Sequence, residues 1–192
     1  MNPLPRTVNL GLFAAFAAIM LATRFHHFGD VLHLPDASMA LFFLGGLYLR
    51  RHWQFAVFIV LAVVIDWVAI EHAGVSDFCV TPAYSFLLPA YGVLWYAGRL
   101  YAGRFDTGWR SLLVATFVAL VASSLSFAIS NGAFYWLGGR YANPHFAEYV
   151  ARAWQWGPLF VRTTMSYVLV ALVLHAIAES ALRLRPERTT HH

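Results

Sequence analysis

Apolar residues fall in six blocks along the 192-residue chain, at about 8–23, 37–49, 53–70, 83–103, 111–137 and 157–182, with short polar gaps between them. Five blocks are long enough to cross a bilayer as helices. The second, with thirteen residues, has the length of an interfacial or re-entrant segment. Arginine placement decides how to count it. Arg6, Arg50, Arg51, Arg99, Arg104, Arg110, Arg183, Arg185 and Arg188 lie at the amino terminus, in the second and fourth gaps and in the tail. The first, third and fifth gaps hold only Arg24, Arg140 and Arg152, and Arg162 lies inside the sixth block. Positive residues favour the cytoplasmic side, so nine against three predicts six spans with both termini cytoplasmic. Without the second span the Arg50-Arg51 pair would lie opposite Arg6. A short, tilted or locally thinned second span keeps the asymmetry.

Composition agrees with that pattern. Sixty per cent of residues are hydrophobic and 11% charged, with a mean hydropathy of +0.61; a soluble domain carries roughly 25% charged residues. The fold class predicted is therefore an all-α integral membrane protein, a six-helix bundle forming one domain over residues 1–192 in the cytoplasmic (inner) membrane. The first block leads into Arg24-Phe25-His26 and not into a small-residue cleavage site, so it reads as an anchor and not a signal peptide. All thirteen basic residues are Arg, scattered between apolar blocks, which fits topology better than a nucleic-acid surface. A single cysteine excludes an internal disulfide. There is no lysine and no phosphate-binding loop, so an ATP-driven step needs another chain. The terminal His191-His192 reads as part of a purification tag.

The same alternation puts the distinctive side chains at one face. His26, His27, His33, His72, Asp77, Cys79 and His145 all fall in the outward gaps, beside many aromatics that an interfacial belt explains in part. Cys79, in Asp77-Phe78-Cys79-Val80-Thr81-Pro82, precedes the fourth block, where Thr81 suits a helix cap and Pro82 a first turn. Amides at a helix start favour a thiolate, a soft metal ligand. The alternative is a small buried hydrophobe. Asp66 lies one turn inside the third block and needs a partner; Tyr84, Arg152, a first-gap histidine or the polar edge of a ligand are candidates. Residues 146–156 read as a short amphipathic helix with Glu148 and Arg152 paired at i,i+4, either a lid or an interfacial helix. In the first block Ala14, Ala18 and Ala22 form a small-residue stripe beside Gly11 and Ala15, suited to internal packing or to docking of another protein.

Taken with the lone outward cysteine, the alanine stripe and the six spans, the chain resembles the BtuM family of cobalamin transporters, relatives of the substrate-binding S-components of energy-coupling-factor (ECF) transporters. The resemblance extends over nearly the whole chain. It implies cobalamin uptake with Cys79 as axial ligand to the corrinoid cobalt, the site facing the outside or periplasm. Asp66, Tyr84, His27 and Arg152 are implied as groups at the ligand's rim, and Ala14, Ala18 and Ala22 as the face that meets an ECF-type ATP-driven module. Loss of cyanide from cyanocobalamin would be a catalytic step at Cys79. Two alternatives stand beside it: a membrane-embedded corrinoid-processing enzyme, and a zinc or copper binder using His26, His27, His33 and Cys79.

Overall fold

A computed structural model of the chain describes residues 5–25 and 34–183. It is all-helical, with α1 at Arg6–Phe25, α2 at Ser38–Tyr48, α3 at His52–Ala73, α4 at Leu87–Tyr101, α5 at Trp109–Leu137 and α6 at Phe146–Arg183. Two short 3₁₀ turns, Asp77–Cys79 and Pro82–Phe86, separate α3 from α4. Among the described residues four helices, α1, α3, α5 and α6, are long and apolar enough to cross a membrane. Their outer faces carry large exposed apolar side chains such as Val60, Phe117, Val170 and Leu174, an arrangement suited to lipid and not to water.

The short α2 lies inside the bundle. Every residue from Ala40 to Leu49 is buried, so the helix is walled by protein on all sides and does not lie on the surface of the bundle. Its main neighbour is α4, with α1, α3, α5 and α6 completing the wall. The close crossing depends on glycine: a Cβ on Gly46 would strike the Trp95 carbonyl oxygen, and one on Gly98 the Phe43 carbonyl. Between helices in lipid there is little water to exclude, so such close backbone approach and the packing it permits supply the attraction. Phe42 then stacks on Tyr91 at 4.1 Å between ring centroids, and Trp95 and Phe58 fill the space behind.

Residues 146–156 are not a separate lid or interfacial helix. They are the first turns of α6, which runs unbroken through Pro158 for 38 residues, about 57 Å at 1.5 Å per residue. Gly157 is buried against α5, where a Cβ would lie 3.2 Å from Phe127, while Pro158 is exposed within the same helix. The predicted pairing of Glu148 with Arg152 is replaced as well. Glu148 accepts a hydrogen bond from Tyr135 Oη at 2.9 Å, and the Arg152 guanidinium lies 4.7 Å from the Tyr141 ring centroid.

Candidate functional site

The carboxyl ends of α1, α3 and α5 meet the approaches to α2, α4 and α6 at one end of the bundle, and a cavity of about 590 Å³ opens there. Four of the site residues expected from sequence line it: Asp66, Cys79, Tyr84 and Arg152. The fifth, His27, lies outside the described residues, as do His26 and His33. Apolar walls come from Met39, Leu87, Phe127, Phe134, Trp156 and Phe160, while Ser126, Ser130, Asn131, Thr163 and Thr164 add hydroxyl and amide groups along α5 and α6. A large apolar pocket with a few convergent polar groups is the usual form of a small-molecule site.

Its floor is a buried ionic network centred on Arg24. This arginine belongs to the last turn of α1 and not to a loop, and it is only 7% exposed. Its Nε and Nη2 form a fork on the Asp66 carboxylate at 2.7 and 2.6 Å. Nη1 reaches Tyr91 Oη at 2.8 Å, Ser38 Oγ at 3.1 Å and Asp36 Oδ2 at 3.3 Å. Tyr84 Oη donates to Asp66 Oδ2 at 2.6 Å. Of the partners expected for Asp66, Tyr84 is present, whereas Arg152 is stacked on Tyr141 and the charge partner is Arg24. The fork geometry suits guanidinium and carboxylate, and satisfies charges that would otherwise be costly away from water. Asp36 also fixes the start of α2 through Ser38 N at 2.8 Å and Ser38 Oγ at 2.6 Å. One guanidinium thus joins α1, α2, α3 and α4 at the cavity floor.

Cys79 is exposed and a free thiol, which removes the inert buried reading. A thiolate stabilised by a helix start, however, is not what the turn provides. Thr81 occupies the cap position, but its hydroxyl makes no capping bond, and it leads into the 3₁₀ turn Pro82–Phe86. The α-helical amides begin only at Leu87, too far along the chain to act on the sulfur, since a helix terminus acts within about one turn. The walls of the cavity partly desolvate the thiol, and the Asp66 carboxylate adds to the effect. Both push its pKa up, with the Arg140 charge opposing them. The resting sulfur is therefore a protonated thiol near neutral pH.

The alanine stripe is open. Ala14, Ala18 and Ala22 are exposed, with Gly11 and Ala15 beside them, while Phe16, Met20, Thr23 and Arg24 form the opposite, buried side of α1. Internal packing is thus not its role. Among the described residues no three His, Cys, Asp or Glu side chains gather as a metal cluster.

Arg24, Asp36, Ser38 and Tyr91 were not among the site residues expected from sequence. A signal was present for Arg24: both α1 and α3 end at the same face, so an arginine in the last turn of one and an acid near the end of the other meet at similar depth. No protein-family model matches the chain, and no curated protein matches it.

Proposed function

We propose that the chain binds a corrinoid in this cavity and carries out cobalamin uptake across the cytoplasmic membrane, with the Cys79 thiolate as an axial ligand to cobalt. The observation that carries this reading is the exposed Cys79 sulfur on the wall of a sizeable, partly aromatic cavity. A bare zinc or copper ion needs several protein donors. Cobalt held in a corrin has its equatorial positions filled and asks the protein for an axial donor alone. A soft sulfur supplies it. Asp66, Tyr84 and Arg152 offer hydrogen bonds to the amide-rich rim.

In this reading α2 and α4 join the four long helices as spans, both termini are cytoplasmic and the cavity faces the outside or periplasm. The exposed stripe of Ala14, Ala18 and Ala22 is the face for an ECF-type energising module. Cyanide loss is a ligand exchange without change in cobalt oxidation state. The thiol gives up its proton and its sulfur donates an electron pair to cobalt; the opposite cobalt–carbon bond breaks, and cyanide leaves with that bond's electron pair and takes a proton from water.

The deciding experiment is the visible spectrum of the protein purified with cobalamin, beside that of Cys79→Ala. Wild type is expected to carry a sulfur-to-cobalt signature that the variant lacks, while the variant retains part of the bound corrin through the cavity walls. A wild-type spectrum without that signature refutes the proposal. With cyanocobalamin and excess thiol, stoichiometric conversion fits a carrier, and repeated turnover identifies a processing enzyme instead.

A further inference from the structure

The residue before Cys79 is gripped by an arginine 62 positions further along the chain. We propose that Arg140 is a positioning residue that sets the direction in which the Cys79 thiol points. The peptide group joining Phe78 to Cys79 is planar, so the Phe78 carbonyl and the Cys79 amide turn together and carry the Cys79 Cα with them. Arg140 Nε donates to that carbonyl at 3.1 Å. The same guanidinium lies 5.0 Å from the centroid of the Phe78 ring, within the range of a cation–π contact. The ring meets Phe134 of the cavity wall at 5.6 Å. One side chain therefore holds both the peptide plane and the neighbouring ring.

Hydrogen bonds within the turn itself are local. Ser76 Oγ accepts from Phe78 N at 3.2 Å, and Val80 N donates to Asp77 O at 2.8 Å. They shape the turn without tying it to the bundle. Arg140 in turn is anchored at the end of α5, directly after Gly139, whose φ of 66° lies in the left-handed region that glycine enters without strain. The clamp thus references Cys79 to α5, the helix whose Phe134 lines the cavity. The positional claim stands by itself; its consequence for cobalt rests on the corrinoid reading.

Cys79 is the single cysteine, so a nitroxide attached to it reports the turn alone. The electron paramagnetic resonance line of the labelled wild-type protein is expected to be broad, and that of Arg140→Ala narrowed by faster motion. On unlabelled protein with bound cobalamin, Arg140→Ala is expected to lower the ratio of sulfur-ligated to unligated corrin about tenfold, as the loss of one charge-assisted hydrogen bond and one exposed cation–π contact implies, while total corrin binding changes less than about threefold. Arg140→Lys, which keeps the charge but not the planar Nε donor, falls between. Arg140→Gln replaces the alanine variant where the latter is not monodisperse. An unchanged line shape in Arg140→Ala overturns the proposal, and so does a narrowed line with full sulfur ligation. A narrowed line in a protein whose wild type never ligates cobalt upholds the clamp and refutes the corrinoid reading instead.

Discussion

Replacing Arg24 with Met tests the ionic floor of the cavity. The substitution fills similar volume but leaves the Asp66 and Asp36 carboxylates, whose side chains are 15% and 22% exposed, without the cation they share. Removing one member of a buried ion pair costs about 3–5 kcal/mol. Both acids keep some exposure to the cavity, so the low end, about 3 kcal/mol, applies. At about 2–4 °C per kcal/mol for a chain of this length, the midpoint of thermal unfolding should fall by roughly 6–12 °C. The assay is the tryptophan fluorescence melt of ligand-free protein in one detergent at one scan rate. Arg24→Met combined with Asp66→Asn removes charge from both sides of the fork, and should recover about half of the loss or more, because a neutralised pair costs far less than a broken one. A single-variant drop below about 2 °C, or losses that simply add in the double variant, would refute the reasoning that Arg24 and Asp66 act as one unit.

Three further outcomes are expected. Because burial and Asp66 raise the Cys79 pKa, cobalt ligation must displace a proton over the range below that pKa; apparent ligation should weaken about tenfold for each unit that pH falls, and a flat spectral titration between about pH 6 and 8 contradicts this. Gly98→Leu should abolish monodisperse, folded protein, since even its Cβ meets backbone atoms of α2; a variant that elutes and melts like wild type refutes the close-crossing account. Ala18→Trp, on an exposed face, should leave the melt within about 0.5 kcal/mol of wild type and leave corrin binding intact while impairing uptake by cells; undiminished uptake argues for a solitary carrier or a different docking face.

The helical blocks were legible because hydropathy measures what lipid demands, and the predicted limits lie close to those of α1, α3 and α5. It does not distinguish lipid from protein as the apolar surroundings. Hence a thirteen-residue run gave the presence of α2 but not its burial from Ala40 to Leu49. Residues 146–156 and the block from 157 read as separate elements because their polar and apolar patterns differ, although one helix carries both. Of the four expected residues that line the cavity, Cys79 and Asp66 stood out as types that are reactive or costly where the pattern put them, and Tyr84 and Arg152 entered as possible partners of Asp66. Arg24 was hidden by its own charge: an arginine near a span end counts as a topology marker, and only the structure assigns it to the Asp66 carboxylate. The expected thiolate was lost for a local reason, since a cap sequence at Thr81-Pro82 led into a 3₁₀ turn and not directly into an α-helix.

The glycine crossing of α2 and α4 dictates an order of assembly. Gly46 and Gly98 are 52 positions apart, and α3 and the Cys79 segment are synthesised between them. When α2 leaves the ribosome its principal neighbour does not yet exist, and its eleven residues are too few to settle across a bilayer unaided. Its final seat is made only once α4 arrives, and the Arg24 contact to Tyr91 closes at that same moment. The cavity is therefore a late product of biogenesis, completed by the second half of the chain around a helix from the first.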